Sequence, residues 1–342
     1  MRIGLVCPYD LSLPGGVQGQ VLGLASGLQA VDEETVVIGP GLPEGIDGVD
    51  LGRTVSLPGN RSRVPISLNL RVRGAIKEGA AECEVLHVHE PLMPTVSLAA
   101  LRAGPPVVAT FHAAPPMPVR GLYKTLAYGL RVTLGAGTRR VTAVSSTAAA
   151  PLPKGMACTI IPNGVAVGRM LVSTERHPHR VVFLGRDEPR KGLDVLLEAW
   201  PRVLEAVPQA ELVVMGADRG TPGIRWLGRV GEETKAEMLS SSAVYVAPHT
   251  GGESFGITLV EAMAAGAAVV ASNLAPFVDV AQDAARYFPA GDSSLLAEAI
   301  VELLDDHGVR EVLASRGEVR APRFDWSHVV AAYRAEYREA IS

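Results

Sequence analysis

Cysteine is scarce in this chain. Its 342 residues hold three, Cys7, Cys83 and Cys158, far apart and in no CxxC pair. That removes a zinc or dithiol redox motif and points to a reducing compartment. Long apolar runs are missing too. The opening run Ile3 to Cys7 is too short for a signal peptide, and nothing approaches the roughly 20 apolar residues of a membrane span. The expected location is cytoplasmic, with at most peripheral contact at the inner face of the membrane. GxGxxG is absent: the turn after the first strand reads Pro14-Gly15-Gly16-Val17-Gln18-Gly19, which argues against a dinucleotide dehydrogenase.

Acidic residues are absent from two tracts. Leu51 to Lys77 carries Arg53, Arg61, Arg63, Arg71, Arg73 and Lys77 and no acid, and Pro91 to Thr174 has no Asp or Glu. Residues 1–165 hold 14 Lys+Arg against 11 Asp+Glu, a net of +3, whereas residues 166–342 hold 18 against 25, a net of −7. The asymmetry has two readings: a solvated surface, or a first half that faces an anionic partner. No nucleic-acid partner is expected.

What is present is apolar and periodic. Apolar residues make up 47% of the chain, enough for substantial cores, and the length suits about two domains. Short buried runs alternate with helical segments: strands at 2–7, 35–38, 84–88, 106–111 and 140–144, and helices at 17–29, 67–82, 94–102 and 119–137. Residues 160–165 close this half with a short strand and a turn, and the polar tract 168–179 reads as a linker. The pattern then restarts with strands at 180–185, 210–216, 224–228, 243–247 and 267–272 and helices at 192–207, 232–240 and 292–306. Strand–helix alternation predicts doubly wound parallel sheets. The expectation is an α/β chain of two Rossmann-like domains facing a central cleft, 1–167 and 168–325, with a helix near 326–342 crossing back to the first. Ligands are expected beyond the carboxyl ends of the strands.

The stretch from His249 to Gly266 has the densest chemistry. A strand runs into a glycine pair, and a helix opens near Phe255 to Ile257. Its first N–H groups lack partners within the helix and favour an anion. Glu253 lies at the turn, and Glu261, two turns along, is placed to accept hydroxyl hydrogen bonds as from a ribose. Gly185-Arg186-Asp187-Glu188-Pro189-Arg190-Lys191-Gly192 stands at another strand end, where Arg186 and Lys191 grip a diphosphate or else pair with Asp187 and Glu188. The Gly15-Gly16 turn either brings backbone N–H groups to a phosphate or sugar or is a plain turn. Gly228 to Lys235 reads best as a capping loop, with contact to a base edge as the alternative. His112 directly follows a strand; the alternatives are a cleft residue and a core histidine. His87 and His89 share one strand face, but no third and fourth ligand accompanies them, so no metal is expected; a buried, hydrogen-bonded pair fits better.

These pieces together resemble the family-4 retaining glycosyltransferases of GT-B fold, and most closely the phosphatidylinositol mannosyltransferases. The resemblance rests on Val6-Cys7-Pro8-Tyr9, Pro14-Gly15-Gly16-Val17, Thr110-Phe111-His112, Ile161-Pro162-Asn163-Gly164-Val165, Gly185-Arg186 with Lys191-Gly192, and Glu253-Ser254-Phe255-Gly256 with Glu261 to Gly266. It implies transfer of mannose from GDP-mannose to an inositol-containing anionic acceptor, phosphatidylinositol, with retention and no metal or other cofactor. It implies that Arg186 and Lys191 hold the diphosphate, that Glu253 and His112 serve the transferred sugar, and that Ser254, Phe255, Gly256 and Ile257 lie near sugar and phosphate. Glu261 is then the ribose residue, Val230 and Lys235 lie near the base, and Gly15 and Gly16 complete the donor site. Tyr9, Gln18, Asn60, Arg61, Arg63, Arg71, Arg73 and Lys77 fall to the acceptor or membrane side. Two alternatives stand beside this reading. One is a family-4 enzyme using a UDP- or GDP-sugar and a soluble inositol phosphate or glycan; the other is a non-catalytic nucleotide-sugar-binding protein.

Overall fold

The computed structural model describes residues 1–52, 54–59, 62–66, 72–113, 138–153 and 155–342, with backbone alone along 55–59 and 62–66. The chain forms two compact units, Met1–Gly164 with Trp326–Ser342, and Val165–Asp325. The break lies between Gly164 and Val165, ahead of the 167/168 boundary inferred from sequence. The tract 168–179 is not all linker: a short helix spans Val167–Met170, and a strand already begins at His177. Asn60, Arg61, Arg71 and the segment 119–137 lie outside the described residues.

In unit 1 the strands are β1 (Arg2–Val6), β2 (Glu34–Gly39), β3 (Gly48–Asp50), β4 (Val55–Gly59), β5 (Ser62–Ile66), β6 (Val85–His89), β7 (Val107–Phe111), β8 (Thr138–Ala143) and β9 (Thr159–Ile160). A seven-stranded parallel sheet runs in the order β3-β2-β1-β6-β7-β8-β9, and β4 and β5 form a separate antiparallel hairpin. Alternate residues of each strand point to opposite faces. On one face Val6, Ile38, Leu86 and Val88 pack with Val72, Ile76 and Ala80 of the helix Val72–Ala80. On the other Ile3, Leu5, Val37 and Val85 pack with Val21, Leu24 and Leu28 of the helix Gly16–Gln29 and with Val329, Val330, Tyr333 and Tyr337 of the helix Trp326–Ile341. Burial on both faces is why these strands read as near-continuous apolar runs. A Cβ on Gly23 or Gly164 would run into the indole of Trp326, so both glycines make room for the start of the C-terminal helix. Arg140 and Glu336 at 2.6 Å, and Arg334 and Glu33 at 2.7 Å, hold the same helix in place.

Unit 2 repeats the plan with β10 (His177–Leu184), β11 (Glu211–Met215), β12 (Arg225–Gly228), β13 (Ser242–Ala247), β14 (Ala268–Ser272) and β15 (Ala285–Phe288). Its six-stranded parallel sheet has the order β12-β11-β10-β13-β14-β15. In each sheet the strand order therefore reverses once, between β1 and β6 in unit 1 and between β10 and β13 in unit 2. In open α/β sheets that reversal leaves a crevice at the carboxyl ends of the two central strands, where ligands bind.

Candidate active site

At the unit 2 reversal two loops lie side by side, 185–192 after β10 and 248–256 after β13. They are clamped together through their backbones. The Thr250 N–H donates to the Arg190 carbonyl at 3.0 Å and the Thr250 hydroxyl to that of Pro189 at 3.2 Å. Gly192 has φ 70°, and a Cβ there would strike the Pro248 carbonyl oxygen.

The clamp brings Lys191 against Glu253. Their Nζ–Oε2 distance is 2.8 Å, and Nζ also lies 3.0 Å from Nε2 of the buried His249. Arg190 reaches the same loop, 3.7 Å from Glu253 Oε2 and donating to the Gly252 carbonyl at 3.3 Å. Burial opposes ionisation of Glu253, but the Lys191 charge outweighs it and holds the carboxyl well below the usual range. Next along the chain, Gly256 (φ 105°) precedes the helix Ile257–Ala264 and, being glycine, brings no capping side chain. The first N–H groups of the helix have no partner within it and suit an anion. Phe255 is buried edge-on to Phe324 at a 5.7 Å centroid separation, so near a ligand it offers backbone only. Ser254 and Ile257 are half-buried beside it.

Arg186 makes the ion pair that its sequence context offers as the alternative to a diphosphate grip. Its side chain is 61% exposed and pairs with Glu188 at 3.1 Å, while Arg190 is the second cation beside Glu253. The neighbouring Asp187 is held by Arg219 Nε at 2.9 Å. Lys235 is more than part of a capping loop. From the helix Glu232–Ser240 it meets Glu261 at 2.6 Å, with Val230 half-buried just ahead of that helix. Burial pushes the Glu261 carboxyl up and Lys235 opposes it.

At the unit 1 reversal Gly15 and Gly16 are exposed at the start of the helix Gly16–Gln29, again with no side-chain cap. Gln18 is buried and donates to the Asp10 carbonyl at 3.2 Å, and Tyr9 packs on the core. Arg73 and Lys77 are exposed one turn apart on the helix Val72–Ala80, and of Arg63 only the backbone is described.

His112 follows β7 and is buried. Its Nε2 is 2.8 Å from His89 Nδ1, so one ring nitrogen is already engaged inside the protein. His87 and His89 stack at 4.0 Å; His87 contacts Tyr337 Oη at 2.7 Å and Thr110 Oγ1 at 2.6 Å. Burial drives all three imidazoles towards neutrality. It takes His112 down to about 4, with Asn163 pulling the other way. Glu90, in a left-handed backbone at φ 48°, accepts the His112 and Ala113 N–H groups at 2.9 and 2.8 Å, and burial raises its carboxyl to about 7. Among the described residues no group of three or more His, Cys, Asp or Glu is arranged to hold a metal ion, and no helix is long and apolar enough to cross a membrane.

Sequence reasoning assigned no role to Arg190, His249 or Glu90. Each is a polar residue in a segment that follows a strand at the reversal, the one signal that marks them; their burial becomes visible only in the fold.

Comparison with known proteins bears on this geometry. Residues 14–169 match the Glycosyltransferase Family 4 and residues 178–306 the Glycosyl transferases group 1. The chain is 38% identical to the phosphatidyl-myo-inositol mannosyltransferase of Mycolicibacterium smegmatis, covering 100% of this chain and 94% of that protein. The protein of the same name from Propionibacterium freudenreichii is also 38% identical, over 97% of this chain and 94% of its own. A more distant relative, 28% identical over 43% of each chain, is a GDP-mannose-dependent monoacylated alpha-(1-6)-phosphatidylinositol monomannoside mannosyltransferase of Corynebacterium glutamicum. Among solved structures, Anabaena HepE in complex with UDP aligns with TM-score 0.77 at 16% identity over 99% of this chain and 100% of its own. A glycosyltransferase from Rickettsia africae aligns with TM-score 0.77 at 16% identity, over 100% of this chain and 98% of its own.

Proposed function

The chain belongs to the group 1, family 4 glycosyltransferases, and on that premise we propose that it transfers mannose from GDP-mannose to the inositol headgroup of phosphatidylinositol. The observation that carries the reading is the Lys191–Glu253 pair beside the uncapped helix start at Ile257. It joins a cation, a carboxylate and the N–H groups of a helix start in one place, as a nucleotide sugar requires.

In this reading Lys191, with Arg190 and Arg186, and the helix N-terminus take up the charge that develops on the diphosphate as the anomeric C–O bond breaks. Such fixed positive groups make a metal ion unnecessary. The new bond forms from an inositol hydroxyl oxygen to the same face of the sugar, GDP departs and the hydroxyl proton is released. Glu253 accepts hydrogen bonds from the sugar, Glu261 from the ribose, and Val230 and Lys235 lie near the base. Gly15, Gly16 and His112, all in unit 1, keep the roles that the family resemblance implies. Because His112 is held neutral, it serves to position rather than to supply charge. Tyr9 and Gln18 fall to the acceptor. The acid-free stretch 51–77, with Arg73 and Lys77 exposed, favours peripheral contact with an anionic bilayer at roughly 1 kcal/mol per basic residue near the surface.

The test is incubation with radiolabelled GDP-mannose and phosphatidylinositol vesicles, against UDP-sugars and against soluble inositol phosphate. A labelled lipid formed only from GDP-mannose supports the reading. Label moving only to the soluble acceptor, or vesicle binding indifferent to salt and lipid charge, sinks the lipid acceptor. Tight GDP binding with neither transfer nor donor hydrolysis sinks the enzyme.

A further inference from the structure

His249 is the one histidine of unit 2 in the core, 1% exposed, two residues beyond β13. Its Nε2 faces Lys191 Nζ at 3.0 Å and Glu253 Oε2 at 3.4 Å. An ammonium group has three N–H donors and no lone pair. The 3.0 Å contact is therefore a hydrogen bond only if Nε2 carries the lone pair, which puts the proton of a neutral ring on Nδ1. That atom is buried and has no hydrogen-bond partner among the described residues. The Phe277 ring stands at 79° to the imidazole with 4.9 Å between centroids. The opposite arrangement, with Nε2–H donating to Glu253, turns an N–H towards an ammonium at 3.0 Å. The 2.8 Å Lys191–Glu253 bond already serves that carboxylate oxygen.

We propose that His249 is a positioning residue. As a neutral acceptor it takes one donor of Lys191 while Glu253 takes a second, which fixes the ammonium and leaves its third N–H for an anionic ligand. That ligand is the diphosphate of the sugar nucleotide, and the inference rests on the reading of this site given above. Burial and the Lys191 charge both favour the neutral ring, against the pull of Glu253. A lysine side chain carries several rotatable bonds, so two fixed acceptors remove most of the freedom that diphosphate binding would otherwise have to remove.

The test uses the full chain and calorimetry with GDP and with guanosine, which lacks the phosphates. Lys191→Met should weaken GDP by roughly 10- to 100-fold, as for loss of one charge-assisted hydrogen bond, and leave guanosine unchanged. His249→Leu should weaken GDP by about 10-fold, again without effect on guanosine. His249→Gln, whose amide oxygen reaches the Nε2 position, should recover GDP affinity to within about threefold of the parent. The double variant Lys191→Met/His249→Leu should bind GDP no more weakly than Lys191→Met alone, because His249 acts only through Lys191. Full additivity in that cycle, equal losses for guanosine and GDP, or a His249→Gln variant no better than His249→Leu overturns the proposal. If His249→Leu does not fold, His249→Gln against the parent at acid and neutral pH decides: the parent should lose GDP affinity on acidification and the glutamine variant should not. The titratable and charged groups facing the ring are Lys191, Arg190 and Glu253, all three retained in that variant. A Lys191→Met variant that binds GDP like the parent removes the diphosphate reading itself. A weakened Lys191→Met beside an unaffected His249→Leu removes only the role of His249.

Discussion

Lys235 and Glu261 meet at 2.6 Å between two helices of unit 2, with side chains only 12% and 10% exposed. Without Lys235 the Glu261 carboxylate loses its partner away from water, whereas Lys235 also pairs with Glu232 at 2.8 Å. Breaking a buried pair by removing one partner typically costs roughly 3–5 kcal/mol, while replacing both with apolar residues is often close to neutral. Lys235→Met should therefore lower the unfolding midpoint of unit 2 sharply, and Lys235→Met/Glu261→Leu should recover most of the loss. Denaturant unfolding followed through Trp200 and Trp226 reads it out. Similar midpoints for the single and double variants would show that the pair is not coupled.

Gly192 is the second point on which unit 2 depends. Its φ of 70° lies in the left-handed region, and the space for a Cβ is filled by the Pro248 carbonyl oxygen, a backbone atom that cannot swing aside. Gly192→Ala should cost at least about 2 kcal/mol and separate the two loops that bring Lys191 to Glu253. Faster amide exchange at Thr250, whose N–H bonds to Arg190, is the specific sign. Parent-like exchange there would contradict the argument.

Much of this was legible in the sequence. Apolar strand runs and intervening helices determine the parallel sheets, because a strand buried on both faces cannot alternate with polar residues. Gly256 and Gly266, both at positive φ, bracket the helix Ile257–Ala264 as turn chemistry leads one to expect. Pairings between distant segments were not legible. Lys191 was visible as a cation near a carboxylate, but its choice of Glu253 and His249 over Asp187 and Glu188 depends on which strands neighbour β10, and no local pattern encodes that. The same holds for Tyr337, whose partner His87 lies 250 residues away.

That Tyr337–His87 bond gives the next prediction. The hydroxyl sits 2.7 Å from His87 Nδ1, and both side chains are fully buried. Tyr337→Phe keeps the ring and removes the partner of a buried imidazole nitrogen, at a cost of roughly 1–3 kcal/mol. Unit 1 should unfold at lower denaturant, with exchange accelerated along the helix Trp326–Ile341. GDP affinity should be unaffected if unit 2 holds the nucleotide. Stability equal to the parent would mean that the hydroxyl is satisfied elsewhere.

Glu90 yields a pH dependence with a definite sign. Its folded-state value of about 7 lies above the ordinary 4.5, because burial outweighs the two N–H donors from His112 and Ala113. The protonated carboxyl therefore contributes stability that is fully present below about pH 4.5 and lost as pH rises through about 7, roughly 3 kcal/mol for such a shift. His112, lowered from 6.5 to about 4, works in the opposite direction: its contribution is present above pH 6.5 and is lost as pH falls towards 4. Glu90→Gln keeps an oxygen for the two N–H groups and cannot ionise. Relative to the parent, the variant should gain stability steadily between pH 4.5 and 7 and hold that gain at pH 8, while the histidine-driven loss on acidification persists in both. Urea unfolding of parent and variant at half-unit pH steps reads the difference directly. A gap between them that does not change with pH would mean that folding leaves the Glu90 carboxyl unshifted.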